Sequence, residues 1–179
     1  MNILNKTKIY EIGHMQYGNG RGWRDELRPF LENMGITVFD PYDKPFMNAP
    51  EEDENTHKLM AQYMENEQYD LVAEHFKKVR AFDLSMVDKS DFVICYLDTS
   101  VFTVGTIEEL CWAAGRLKRP TFIIIEGGKK KAPLWLFGLI PHKYIYNNFE
   151  EVKDVLTKIN SGEKEIDSDR WRLLKEGLR

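Results

Sequence analysis

Two stretches of this sequence carry side chains capable of chemistry at a spacing that lets them meet. Asp83-Leu84-Ser85-Met86-Val87 precedes the apolar run Asp91 to Leu97, and Val104-Gly105-Thr106-Ile107-Glu108-Glu109-Leu110 follows it. A helix, a buried strand and a second helix in that order bring Asp83 and Glu109 toward one strand end. Carboxyl groups sheltered from water can act as nucleophiles or exchange protons, because burial moves their proton affinity toward neutrality. Gly105 permits close backbone approach at the second helix start, where free N–H groups can hold an anion or a sugar hydroxyl. Adjacent helical residues point about 100° apart. With the apolar arc centred near Leu110 and Ala114, Glu109 borders that arc and Glu108 points away from it. Glu109 is thus the better candidate for a partly buried carboxylate, and Glu108 for a solvated charge. An acidic residue near a helix start also arises from the helix dipole alone, so periodicity leaves both readings of Glu109 open.

The elements around these residues alternate. Lys8 to Ile12 reads as a strand ending at Gly13, followed by the glycine-rich run Gly18 to Gly22. That run lacks the G-K-[ST] of a P-loop, so it serves as a cover for a phosphate or sugar or as a plain turn. Trp23, Leu27, Phe30, Leu31 and Met34 recur at helical spacing up to Gly35, and Ile36 to Phe39 reads as a second strand closed by Asp40-Pro41. Residues 42 to 56 read as a loop long enough to suspect a function. An irregular helix is expected over 57–79, continuing or restarting through Val87. Asp91 to Leu97 and Pro120 to Ile125 are near-continuous apolar runs, the pattern of strands buried on both faces. A helix over Gly105 to Leu117 separates them, a last strand is expected over Lys143 to Tyr146, and an amphipathic helix over Glu150 to Ile159. This order predicts an α/β fold: one doubly wound, Rossmann- or flavodoxin-like parallel sheet of about five strands with helices on both faces. Residues 1–160 form the catalytic domain in this reading, and 161–179 a polar linker with a short helix over Ser168 to Glu176. Such sheets bind ligands beyond the carboxyl ends of their strands. The loops Gly13 to Gly22, Asp40 to Thr56 and Asp98 to Gly105 collect there.

Composition narrows the partners. The chain has 179 residues, enough for one domain with a core, and a net charge of −4, which argues against polymeric nucleic acid. Cys95 and Cys111 lie in apolar surroundings outside any C-x-x-C pair and read as two buried thiols in a reducing compartment. His14, His57, His75 and His142 are scattered, so neither a structural metal nor a cofactor is expected. Without an apolar leader or a membrane-length run, the expectation is a cytoplasmic protein with no membrane contact.

The order of blocks now matters. Ile9-Tyr10 three residues before Gly13, a glycine-rich loop, a strand ending in Asp-Pro, then D-L-x-x-V-x-x-S-D-F-V-I-x-Y-L-D from Asp83 and V-G-T-x-x-E-L-x-x-A from Val104 resemble the nucleoside 2-deoxyribosyltransferase family. The similarity spans roughly Lys8 to Ile125. It implies that Glu109 attacks C1′ of the sugar, that Asp83 meets the nucleobase and helps protonate it, and that Tyr10 orients the nucleophile. It also implies a small-molecule nucleoside or nucleotide substrate, and a homo-oligomer in which a neighbour helps close the site. The chemistry is coherent. Glycosidic cleavage develops oxocarbenium character, a carboxylate can trap C1′ as a glycosyl-enzyme, and the base leaves more readily once protonated. Burial beside Phe82 and Phe92 is expected to raise the Asp83 pKa.

Two departures bear on substrate contacts. The block after the first strand is Gly13-His14-Met15 where family members often carry G-P-F, which puts base contacts by Gly13 and Met15 in doubt. Six residues before Glu109 stands Thr103, where nucleoside-using members have an aspartate. In this it resembles the related deoxynucleoside 5′-monophosphate N-glycosidases. Thr103 with Gly105 and either Arg21 or Arg80 is the candidate phosphate site, Asp98 and Thr106 adding contacts from the same loop and helix start. A plain helix cap at Thr103 is the competing reading. Arg80, one turn before Asp83, is expected to pair with it, to reach a phosphate, or to be a surface charge. Trp135 and His142 are read as packing residues rather than pocket lining, and Lys129 to Lys131 as a solvated loop. Three functions follow in order: sugar transfer between bases, hydrolysis of deoxynucleoside 5′-monophosphates, and a non-catalytic nucleotide-binding module.

Overall fold

The structure, a computed structural model, describes residues 2–15, 20–44, 49–50, 52–167 and 169–172. Gly18 and Asn19 of the glycine-rich run lie outside these, as does most of the helix expected over Ser168 to Glu176.

The strands are β1 (Lys8–Gly13), β2 (Thr37–Phe39), β3 (Phe92–Leu97), β4 (Thr121–Ile125) and β5 (Ile145–Tyr146). They form one sheet in the order β2-β1-β3-β4-β5, and every pairing is parallel. Helices cover both faces: α1 (Gly22–Asn33), α2 (Glu54–Glu65), α3 (Tyr69–Lys89), α4 (Val104–Leu110), the short α5 (Leu136–Leu139) and α6 (Phe149–Ser161). The central strands are buried almost throughout, β4 at every residue, as their apolar runs require.

Local chemistry sets the boundaries. Trp23, Leu27 and Leu31 are buried along α1, and the chain reverses at Gly35 with φ +74°, where a side chain would strike Asn5. Asn148 caps α6 by accepting from the Glu151 N–H, and Gly162 ends it in the left-handed region.

Three elements differ from the sequence pattern. The irregular helical stretch is two helices, α2 and α3, and the break passes through Glu67 at φ 56° with no glycine or proline to announce it. The helix after the third loop begins at Val104 and continues beyond Leu110 as a π-helical segment, Cys111–Arg116. The last strand is only Ile145–Tyr146, because His142–Tyr144 is taken up by a 3-10 turn after Pro141.

Strand order reverses between β1 and β3: the chain leaves β1 for β2 on one side and returns to β3 on the other. The resulting crevice beyond the strand ends is where this topology receives ligands.

Candidate active site

Tyr10 lies within β1 and is buried, and its hydroxyl donates to Glu109 Oε1 at 2.8 Å. Glu109 comes from α4, and its buried position follows from the helical arc that also buries Leu110 and Ala113. Together they sit at a cavity of about 370 Å³. Its walls are the end of β1 (Gly13, His14, Met15), the loop after β2 (Pro41, Glu52), one side of α3 (Phe76, Val79, Arg80, Asp83, Leu84) and the start of α4 (Phe102 to Thr106, Glu108). The volume suits a ligand of nucleoside size, and the lining is mostly apolar with a few polar groups, as small-molecule sites are.

Burial raises the Glu109 pKa to about 8, with the nearby Asp83 charge adding to it; the Tyr10 hydrogen bond and Arg24 pull the other way. Burial likewise raises Asp83 to about 6, and Lys44 opposes the rise. Tyr10 itself is pushed well above its ordinary value by burial and by Glu109, so it remains a hydrogen-bond donor at neutral pH. At neutral pH these values leave one of the two carboxyl groups protonated and the other ionised. The arrangement can present one carboxylate as a nucleophile and one carboxyl as an acid.

The remaining sequence candidates divide. Gly13, Met15, Thr103, Gly105 and Thr106 all line the cavity. Thr103 occupies the N-cap position, yet its hydroxyl makes no capping hydrogen bond, and the space before Gly105 is open. Arg80 lines the rim but pairs with Glu108, its Nε 2.7 Å from Oε2, rather than with Asp83. The cation at Asp83 is Lys44, 2.8 Å away. Arg21 does not line the cavity: it is exposed, 3.5 Å from Asp25 and stacked over Tyr42. Asp98 also stands apart, accepting from the Ser100 N–H and hydroxyl.

Some expectations are corrected. Cys95 is buried, but Cys111 is exposed, because it lies on the outer side of the helix that carries Glu109. Trp135 is 84% exposed and His142 is exposed, so neither packs in the core nor lines the cavity. Among the described residues no group of His, Cys, Asp or Glu is disposed to hold a metal, and no helix is long and apolar enough to cross a membrane.

Three contributors escaped the sequence reading. Lys44 and Glu52 both belong to the loop suspected only for its length. Arg24 is fully buried and holds the turn after β1, donating to the carbonyls of Glu11, Gly13, His14 and Gly20. A signal for Arg24 was present: it lies three and seven residues before Leu27 and Leu31, on the buried stripe of α1.

The strand order defines a flavodoxin-like, doubly wound α/β protein with its site at the switch point between β1 and β3. Among solved structures, a 2-deoxyribosyltransferase from Bacillus psychrosaccharolyticus superposes with a TM-score of 0.55 at 15% identity, over 82% of this chain and 90% of that one. A CMP N-glycosidase from Clostridium botulinum gives 0.46 at 17% identity, over 84% of this chain and 98% of that one. A conserved protein from Enterococcus faecalis also gives 0.46 at 17% identity, over 96% of each chain. The first of these shares the fold of this chain. No family model and no curated protein matches the sequence.

Proposed function

We propose that this chain cleaves the N-glycosidic bond of 2′-deoxynucleosides through a deoxyribosyl–Glu109 intermediate and transfers the sugar to a second base. The observation that carries the reading is the 2.8 Å hydrogen bond from Tyr10 to Glu109, made at a cavity whose wall bears Asp83. Tyr10 occupies Oε1 and leaves Oε2 for C1′. As that oxygen bonds to C1′, the C1′–N bond breaks and its electron pair goes to the base, which Asp83 protonates. A second base, entering with the roles reversed, then releases Glu109. Tyr10 positions the carboxylate and holds its charged form.

Hydrolysis of a deoxynucleoside 5′-monophosphate is the second reading. It is favoured by Thr103, which lines the cavity and makes no capping hydrogen bond. It draws less from the arginines, since Arg80 is paired with Glu108 and Arg21 stands outside the cavity. In both readings the enzyme is a cytoplasmic homo-oligomer. Phe102 and Val104, 88% and 67% exposed at the cavity mouth, are what a second copy would cover.

The test is incubation with the deoxynucleosides and their monophosphates, with and without an acceptor base, followed by analysis of free and exchanged base. Base exchange is expected. Cleavage of monophosphates alone, weakened by Thr103→Asp, would establish the second reading instead. Absence of cleavage in every pairing would refute both.

A further inference from the structure

The helix that carries Glu109 does not end as it begins. After Leu110 it passes into the π-helical segment Cys111–Arg116, and the Leu117 N–H donates to the Trp112 carbonyl five residues back, at 2.9 Å. Such turns are rare, are mostly inserted singly into α-helices, and often accompany functional sites. The register matters here. A π turn takes up one residue more than an α turn, so relaxing it to α geometry would rotate the residues before it by about one position, about 100° around the axis. That is the angle that separates Glu109 from Glu108, enough to carry the nucleophile away from the Tyr10 hydroxyl.

Both ends of the segment are fastened from outside. At its start the Trp112 indole N–H donates to Asp88 Oδ1 at 2.8 Å, in the last turn of α3. At its end Arg170 reaches in, its Nη1 donating to the carbonyls of Ala114 at 3.0 Å and Arg119 at 3.1 Å. Carbonyls in the last turn of a helix lack partners within it and carry the negative end of its dipole, so a guanidinium suits them. One carbonyl lies in the segment and the other beyond it, which fixes where the segment stops. Arg170 is itself held in place. Trp171 beside it is 3% exposed and packs on Phe92 of β3 and Phe122 of β4, ring centres 5.3 and 6.1 Å away. The Arg170 and Trp171 N–H groups both donate to the Asp167 carbonyl, and the Asp167 carboxylate pairs with Lys143 at 2.9 Å. The chain beyond α6 is thus anchored in the core and returns a cation to the helix of the nucleophile.

We propose that Arg170, anchored by Trp171, holds the Glu109 helix in its π register and thereby aims Glu109 at the cavity. The proposal rests on the glycosidic reading of the site, which gives Glu109 its chemistry. Arg170 is a positioning residue: it stands outside that cavity and acts through the helix. Misplacing a reacting group by about 1 Å is enough to cost about a hundredfold in rate.

The experiment compares kcat and KM on the deoxynucleosides in the wild type and in Arg170→Met, Arg170→Lys and Arg170→Gln, with folding followed by circular dichroism. Arg170→Met is expected to lower kcat by about tenfold to a hundredfold with KM within about twofold. Arg170→Lys should recover much of the loss, since an ammonium still meets the carbonyls. Arg170→Gln, which keeps one amide donor, carries the comparison should the methionine variant not fold. A variant that unfolds more readily but turns over at the wild-type rate would overturn the inference, because the contact would then support the fold alone. The position of Glu109 is also read without activity, by NMR titration of its carboxyl carbon. Burial raises that group to about 8, and a helix that has slipped its register exposes it, so the value should fall toward the ordinary 4.5 in Arg170→Met and hold in Arg170→Lys. If no nucleoside is cleaved, the mechanism fails while this titration still decides the positioning. A fall in Arg170→Met supports it, and an unchanged value removes it.

Discussion

Tyr10 and Glu11 are neighbours on β1, and consecutive strand residues face opposite sides of a sheet. On one side, Tyr10 meets Glu109 at the cavity. On the other, Glu11 is fully buried, and neither carboxyl oxygen has a hydrogen-bond partner among the described residues. Burial raises both Glu11 and Glu109 to a pKa of about 8. Arg24 opposes the rise at Glu11, and Asp40 adds to it. The two carboxyl groups thus hold their protons alike, yet only Glu109 opens on a space a ligand can enter. A perturbed proton affinity marks a candidate; access and a partner that orients the group decide whether it can do chemistry.

Substitution separates the two sides most sharply. Glu109→Gln is expected to lower turnover by about a thousandfold or more, while Glu11→Gln, away from the cavity, stays within about threefold of wild type. Single-turnover assays on both variants would check this, and similar losses in the two would erase the distinction. Asp83→Asn is expected to lose about a hundredfold in rate with substrate binding retained, because an amide cannot supply the proton. An unchanged rate would remove Asp83 from that role.

Titration sharpens the contrast further. Glu109 must be ionised and Asp83 protonated in the active form, whereas values of about 8 for Glu109 and about 6 for Asp83 favour the opposite placement of the proton. The active form is the minor singly protonated one, and log kcat/KM should trace a bell whose limbs lie near about 6 and about 8. Tyr10→Phe removes a hydrogen bond that lowers the Glu109 pKa. The upper limb of its bell should move to higher pH while the lower limb stays, with about a tenfold loss at neutral pH. A loss with no shift would make Tyr10 a packing residue.

The smallest effect lies on the sealed side. Glu11 binds its proton more tightly folded than unfolded, so its contribution is complete below its ordinary value of 4.5 and is lost as pH rises through about 8. Across that window stability falls by about 1.4 kcal/mol per pH unit for such a group. Glu11→Gln stays neutral, so its denaturant-unfolding free energy should fall less steeply between pH 6 and pH 9. Parallel slopes for the variant and the wild type would contradict the burial of an unpaired carboxyl.

Much of this molecule is determined by short-range pattern. The apolar runs at Phe92–Leu97 and Thr121–Ile125 are long enough for buried strands and too short for helices. The helical arc through Leu110 and Ala114 separates Glu109 from Glu108, as the burial of one and the Arg80 pairing of the other reflect. What only the tertiary structure decided depends on residues far apart in the chain. Lys44 reaches Asp83 across 39 positions, and both ends lie in stretches with no periodicity linking them. Arg80 turns to Glu108 instead of Asp83 because α3 and α4 pack together, an outcome helical spacing within α3 cannot express. Arg24 is buried because the turn after β1 supplies carbonyl acceptors, and Trp135 is exposed because its short helix leaves it outside the core. Local sequence specifies which face of an element is apolar through fixed backbone periods; which charge meets which carboxyl is set by how the elements dock, and a single chain records that only in three dimensions.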